Sequence, residues 1–331
     1  MSNGIKALRR IQIGLETTAG TAIAATTRWR GTGVIEDLRK LVYPEEDIGY
    51  ISGVDRSYVS QYGAKIELDD TPATFEQLPY LLAMGVKSVI AGSADTGGAG
   101  KIYDYPFPTT AKNTIKTATI EGGDDQEAER MEYAFCESFK LSGKQGAAWM
   151  MSASLIGRQV GLNAFAAATL PTVEELLFGK SKLYIDAVGG SIGGTLQSNT
   201  LLAAEIAVDT GWHAKYTADG NLYFSYPEVR MPEIIVKATF VHNNVAQAEK
   251  VNWRAQTARL LRVLVNGSAF TAGSSFSMKT AILDFAGKWE FGKLDEDDGN
   301  DIVEGTMRAR YDPTAAKFAE MKVVNKLATL P

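Results

Sequence analysis

Several short segments of this 331-residue chain have the residue types and spacing of chemical motifs. Gly189-Gly190-Ser191-Ile192-Gly193 satisfies G-x-S-x-G after a strand-like stretch at 182–188, and His213 and His242 follow it in the order a hydrolase needs. A nucleophile elbow requires a helix directly after the serine, because the sharp strand-to-helix turn is what exposes the hydroxyl. Gly193-Gly194-Thr195-Leu196-Gln197 is a poor helix start, so the motif reads as a glycine-rich connection and both histidines as ordinary surface or interface residues. Gly98-Ala99-Gly100-Lys101 has the end of a phosphate loop, but Asp95 stands where the first glycine belongs and Ile102 where Ser or Thr would ligate magnesium. The acidic run Asp295-Glu296-Asp297-Asp298-Gly299-Asn300-Asp301 fails as a calcium loop, since Gly299 falls on the fifth position and Thr306 on the twelfth. It reads as a surface loop.

The remaining counts narrow the chemistry further. One cysteine, Cys136, and two histidines make neither an internal disulfide nor a His/Cys metal cage. Asn266-Gly267-Ser268 matches a glycosylation acceptor but reads as a turn without a secretory route. Arg28-Trp29-Arg30 lacks the wider basic stripe of a nucleic-acid reader, and the net charge of −5 disfavours one. No metal, cofactor or catalytic residue is therefore assigned, and the expectation is a non-enzymatic protein. The start of the chain lacks a secretory apolar core and no apolar run reaches the ~20 residues of a membrane helix, so a cytoplasmic site of synthesis is expected.

The elements that would carry any site are mostly strands. From 131 to 141 the odd positions Met131, Tyr133, Phe135, Phe139 and Leu141 share a face, and after turn residues at 142–146 Trp149, Met151, Ala153 and Leu155 line a second strand. Together they predict a long antiparallel hairpin. Tyr62, Ala64, Ile66 and Leu68 alternate with polar residues, as do Ala281, Leu283, Phe285, Trp289 and Phe291, and Asp219-Gly220 marks a further hairpin before Leu222, Phe224 and Tyr226. Thr71-Pro72 predicts the start of a helix at about 74–84, kinked by Pro79 or split by it into two turns. Val245, Ala248, Val251, Ala255 and Ala258 lay an apolar stripe on a second helix at 244–258.

Hydrophobic residues at 45% and charged residues at 22% are globular values, and the length suits two domains or one large one. Both halves run sheet, helix, sheet, which predicts a mainly β (α+β) chain of two tandem units, 1–170 and 171–331, joined near Leu170-Pro171. The stretch 35–54 is too long for a plain loop and too apolar for a solvated linker. It predicts an arm that docks on another subunit through Tyr43, Pro44, Ile48, Tyr50 and Ile51. The glycine-rich stretch 91–100 reads as flexible.

Several phrases of the sequence resemble a known family. Ile11-Gln12-Ile13-Gly14-Leu15-Glu16-Thr17-Thr18-Ala19-Gly20-Thr21-Ala22, Thr27-Arg28-Trp29-Arg30-Gly31, Pro44-Glu45-Glu46-Asp47-Ile48-Gly49 and Asp70-Thr71-Pro72-Ala73-Thr74-Phe75-Glu76-Gln77-Leu78-Pro79-Tyr80 resemble the major tail tube proteins of long-tailed bacteriophages. So do Glu137-Ser138-Phe139-Lys140-Leu141-Ser142-Gly143, Ser152-Ala153-Ser154-Leu155-Ile156-Gly157-Arg158 and the late Lys322-Val323-Val324-Asn325-Lys326-Leu327. The likeness is strongest up to about Arg158.

That resemblance implies a β-sandwich or open barrel with a flanking helix, here in two tandem copies. It implies rings whose inner sheets join into one barrel and which stack through extended arms. A trimer imitating six-fold symmetry is the favoured ring, and a hexamer of single-fold subunits with an added domain its rival. The expected partners are copies of the chain itself, tail tip and terminator proteins, and phage DNA that passes without specific binding. The expected location is the virion tail, assembled in the host bacterial cytoplasm. Because cations on the channel wall would hold phosphate, the lumen should be acidic or neutral. Glu67, Asp69, Glu132 and Asp284 lie on polar strand faces and are the candidate lumen acids. The alternatives are a β-sandwich surface or carbohydrate-binding module and, more distantly, a hydrolase built on Ser191.

Overall fold

Abundant period-two alternation and sparse helical periodicity are realised as a mainly β fold, in which antiparallel strands carry most of the chain and two short α-helices interrupt them. A computed structural model describes residues 4–53 and 55–331. Met1, Ser2, Asn3 and Val54, the last residue of the 35–54 segment, lie outside the described residues.

The strand ladders of the first half recur in the second. Arg10–Leu15 pairs with Ala118–Gly123, which forms a hairpin with the first part of Ala128–Lys144. The other edge of that long strand takes Met150–Gly157 and then Val160–Asn163. Met150–Gly157 pairs with Ala64–Pro72, and Ala64–Pro72 with Gly33–Asp37. In the second half Ser181–Ala187 pairs with Arg259–Ala269, which forms a hairpin with the first part of Met278–Asp297. That long strand takes Asn300–Ala309 and Ala319–Asn325; Asn300–Ala309 pairs with Glu233–Val241, and Glu233–Val241 with Leu201–Asp209. A 3-10 turn, Lys6–Leu8 or Phe178–Lys180, precedes the first strand of each half. Lys101–Pro106, an addition to the first half, pairs with Ala319–Asn325 and stitches the halves together. Both halves contribute to one buried cluster that includes Ile66, Met151, Phe240 and Phe285. The stretch 164–177, which contains Leu170-Pro171, thus connects two ladder sets packed on a common core.

The first long strand does not keep one apolar face from 131 to 141. Its register shifts between Met131 and Ala134 and again between Cys136 and Ser138, and Tyr133 sits at φ 55. Each bulge exchanges the two faces. Met131, Cys136, Phe139 and Leu141 therefore enter the main core, whereas Tyr133 and Phe135 pack with Trp212 and Phe224 in a second cluster. The bulge is held from below: the buried Glu16 carboxylate accepts from Tyr133 N at 2.8 Å, Gly20 N at 2.8 Å, Thr117 Oγ1 at 2.7 Å and Thr119 Oγ1 at 3.1 Å. The second long strand keeps its alternation, with Ala281, Leu283, Phe285, Trp289 and Phe291 all in the core.

Both helices differ in detail from the sequence reading. Thr71 and Pro72 end a strand opposite Met151 and Met150, so they cap nothing. Helix α1 is Leu78–Gly85, and Pro79 occupies its first turn, where a missing N–H has no partner to lose; it starts the helix rather than kinking it. All eight residues are buried, so α1 is a core element. Helix α2 is Asn244–Arg254, capped by Asn243, whose side chain accepts from Val245 N and Ala246 N. Its buried face holds Ala246 and Glu249, while Val251 of the expected stripe is exposed. Arg259 explains this: its guanidinium meets the Glu249 carboxylate at 2.8 and 3.0 Å, so a charge can sit inside, and Trp253 packs on Phe291.

Two loops are more ordered than their composition suggests. In 91–100, Ser93–Ala94 forms a short strand and Asp95 accepts from Ser274 Oγ, Ser275 N and Phe276 N. The acidic run 295–301 is the tip of a hairpin, with Asp298 (φ 50) and Gly299 (φ 76) as its two-residue turn. Asp219-Gly220 lies in the connection of a smaller hairpin, Trp212–Lys215 with Tyr226–Val229; of the expected face Phe224 is buried, and Leu222 and Tyr226 are exposed. Among the described residues no helix is long and apolar enough to cross a membrane.

Candidate assembly interface

The two halves meet edge to edge. The second part of Ala128–Lys144 pairs with Leu201–Asp209, from Ser138 opposite Asp209 to Lys144 opposite Ala203. Leu141 faces Ile206 across this joint, and both are buried. The tip of the first hairpin then closes on the turn that opens the second half. Trp149 packs on Phe178 with ring centroids 5.2 Å apart and donates to Ser181 Oγ at 3.0 Å. Gln145 N donates to Leu202 O, and Phe178 N to Ala147 O.

Each side of this joint has a counterpart at an open end of the chain. The ladders fix the correspondence. Ile35 pairs with Ile66 and Ile66 with Leu155; Ile206 pairs with Val236 and Val236 with Met307. Four residues before Leu155, Met151 faces Leu141; four before Met307, Val303 faces Leu294. Leu294 is thus the counterpart of Leu141, and Ile35 of Ile206. Among the described residues Gly33–Asp37 pairs only with Ala64–Pro72, and 288–297 only with Asn300–Ala309. Leu294 is 44% exposed, where Leu141 is 1% exposed.

The sheet containing the joint runs from Gly33–Asp37 through Ala64–Pro72, Met150–Gly157, 138–144, Leu201–Asp209, Glu233–Val241 and Asn300–Ala309 to 288–297. One face packs on the core. The other presents small and charged residues around a shallow depression of about 310 Å³ lined by Glu67, Ser138, Lys140, Ser152, Ser154 and Asp209, among others. Three of its cations meet carboxylates, Lys65 with Glu67 at 2.6 Å, Lys237 with Glu205 at 3.3 Å and Arg308 with Glu233, whereas Lys140 in the depression forms no ion pair among the described residues. The hydrogen bond from Lys65 to Glu67 raises the Lys65 pKa.

The four acids proposed for a lumen fall in different places. Glu67 is on this open face, and Asp69 is exposed beside it, where a register shift interrupts its strand. Glu132 is half-buried at the bend of the first long strand and accepts from Gln159 Nε2. Asp284 is buried and clasped by Arg262 Nε and Nη2, each at 2.7 Å, with Lys317 Nζ at 3.7 Å. Neutralised in this way, Asp284 offers no free charge to a channel. Lys65, Glu205, Asp209 and Glu233 are the face residues that sequence reading missed, although Lys237 and Glu233 lie on a clear alternation.

Of the 35–54 arm, 35–37 belongs to the sheet and Lys40–Val42 pairs with Tyr58–Gln61 in a two-stranded hairpin of its own. Tyr43, Ile48 and Tyr50 are exposed, Ile51 fully exposed, and Pro44 half-buried. An apolar set of this size without cover is an interaction surface in most folded proteins.

Ser191 lies in a turn after Ser181–Ala187, and the backbone N–H groups of Gly193, Gly194 and Thr195 wrap the Asp186 carboxylate at 2.8, 3.1 and 2.8 Å. No helix follows the serine, so the elbow geometry is absent. His213 stands 3.5 Å from Glu228 on the small hairpin. Burial pushes the Cys136 thiol up, away from nucleophilic reactivity. Among the described residues no three His, Cys, Asp or Glu side chains are grouped to hold a metal. No protein-family model matches the chain, and no curated protein matches it.

Proposed function

We propose that this chain is the structural subunit of a ring and that stacked rings form a tube of the bacteriophage tail type, a conduit through which DNA passes. One observation carries this reading: the joint between the two halves has both of its sides present again, unpaired, at the ends of the same sheet. Joining 288–297 of one copy to Gly33–Asp37 of the next repeats the internal joint. Such a contact is head to tail, so it satisfies two edges per copy and closes when the rotation between halves divides the circle. With two equivalent units per chain, three copies make a six-unit ring. The open face, where carboxylates engage Lys65, Lys237 and Arg308, then lines the bore and holds phosphate only weakly. The phrase-level resemblance to tail tube proteins supports the same reading independently of the geometry.

The register of the proposed joint follows from the internal one. Leu294 comes opposite Ile35, Lys293 opposite Glu36, and Asp295 opposite Val34. A Val34→Cys, Asp295→Cys double variant should form disulfide-linked multimers on oxidation, and either single variant none; negative-stain images of the protein should show annuli or tubes. Monomers under all conditions and no linked chains would remove this reading and favour a discrete binding module.

A further inference from the structure

Beyond the strand-to-strand joint, we propose that the arm hairpin, Lys40–Val42 with Tyr58–Gln61, lies sideways on the second half of the neighbouring copy, against Lys288 and Arg310, and so locks copies within one ring. This rests on the ring reading, which supplies the neighbour's position.

The small hairpin of the second half is the counterpart of the arm. Leu41 stands six residues after Ile35, and Trp212 six after Ile206; Val59 stands seven before Ile66, and Val229 seven before Val236. Leu41 faces Val59 and Trp212 faces Val229, so two hairpins placed by different strands fall into the same register. Within the chain the small hairpin reaches across the internal joint. Its Trp212 and Phe224 are buried with Tyr133 and Phe135 of the first half, and Arg158 of that half stacks on Tyr223 at 4.6 Å. Leu41 has no such cover and is 51% exposed, against 8% for Trp212.

The surface that would cover Leu41 follows from the same ladders. Ile156 faces Phe135, and its counterpart Arg308 faces Lys288. Arg158 and Arg310 stand three residues beyond the counterparts Leu155 and Met307, and each backbone N–H returns to the long strand of its half, at Glu132 O and Ala286 O. Lys288 and Arg310 are exposed and form no ion pair among the described residues. The arm brings exposed tyrosines, Tyr43 and Tyr50, to this side. A guanidinium laid on a tyrosine ring repeats what Arg158 does inside the chain. The acids of the seat are already engaged or matched: Glu233 meets Arg308, and Asp312 accepts from Thr314 N and Ala315 N. Inside the chain Thr210 N donates to Glu137 O. The counterparts of that pair, four residues after Ile35 and two after Lys288, are Arg39 and Glu290, so the arm also brings a base to the remaining acid. In one copy Arg39 meets only the exposed Asp37, at 3.2 Å.

The test uses the full chain in two double-cysteine forms. Val34→Cys with Asp295→Cys reports the strand joint, and Leu41→Cys with Lys288→Cys, treated with a short bis-maleimide, reports the arm; the native Cys136 is buried and does not compete. The arm pair should link chains up to the same copy number as the strand pair and no further, because both contacts lie in one ring. Arg310→Ala should raise the concentration for half-assembly in sedimentation velocity about tenfold, with the circular-dichroism melt unchanged because this side chain is exposed. Linking by the strand pair without linking by the arm pair overturns the seat and leaves the ring. Linked ladders longer than the ring, which put the arm on another ring, do the same, as does assembly that Arg310→Ala leaves unchanged. Absence of linking by the strand pair overturns both.

Discussion

Leu294 and Leu141 occupy counterpart positions, one at the open edge and one at the internal joint, and they should respond to the same substitution in opposite ways. Leu294 is 44% exposed in the single copy. Full burial of a leucine is worth about 1.5–3 kcal/mol, so covering the remaining surface at the proposed joint contributes about 1 kcal/mol. A three-membered ring contains three such joints. Leu294→Ala should therefore weaken ring formation by about 3 kcal/mol, or roughly 150-fold in the trimer equilibrium constant. Its effect on folding should stay within about 0.5 kcal/mol, as for other surface substitutions. Leu141, at 1% exposure against Ile206, has no such freedom. Leu141→Ala should cost about 2–5 kcal/mol of fold stability through the cavity it leaves. Mass photometry over a concentration series measures the first effect, and chemical denaturation of the monomer below its assembly threshold measures both. Unchanged assembly in Leu294→Ala, or a loss of fold stability comparable to that of Leu141→Ala, would refute the assignment of counterparts.

Other parts of the fold make independent predictions. Glu16→Ala strands the buried N–H of Tyr133 at a cost of about 1–3 kcal/mol and frees the half-buried N–H of Gly20, so the melting temperature should fall and the near-ultraviolet signal of the Tyr133 cluster should loosen; an unchanged melt would show that the bulge holds itself. Burial, with the Glu320 charge alongside, lifts Asp104 to about 6, whereas, against its own burial, Glu320 is taken down to about 2 by Lys317 and Lys322. The Asp104 contribution to stability is full below its unfolded value of 3.8 and is lost as pH rises through about 6, while that of Glu320 is full above 4.5 and is lost as pH falls through about 2. Melting temperature should accordingly decline between about pH 4 and 6 in the parent chain and decline less in Asp104→Asn; parallel profiles would contradict the raised Asp104 carboxyl.

How much of this was legible in the sequence depended on whether a residue's environment came from its own strand. Ile66, Leu68, Leu155, Leu283 and Trp289 alternate within single strands and lie in the core as read. The bulges at Tyr133 and Cys136 were hidden because both register shifts keep large residues on either face, so Met131 to Leu141 still looked like one uninterrupted stripe. Glu249 broke the reading of α2 because its partner, Arg259, arrives from the following strand. Asp284 looked like an exposed acid for the same reason, with Arg262 supplied by the paired strand and Lys317 by the turn before Ala319–Asn325.

The joint itself was least legible. It depends on counterparts such as Ile35 and Ile206, or Leu155 and Met307, that share size and polarity without sharing identity, and only the ladders line them up. The stretch 288–297 was harder still, because it mixes Trp289 and Phe291 on the core side with Lys288, Glu290, Lys293 and Asp295 on a face and edge that nothing covers in one copy. A strand with one edge unpaired carries the polarity of a loop at its end, and the run 295–301 was read as one. The same reasoning accounts for the arm, where Tyr50 and Ile51 are apolar yet uncovered. Both departures from ordinary single-chain patterning, polar residues within a strand and apolar residues in a projection, lie next to Gly33–Asp37 and its counterpart edge or extend from them. The ring proposed above would cover both.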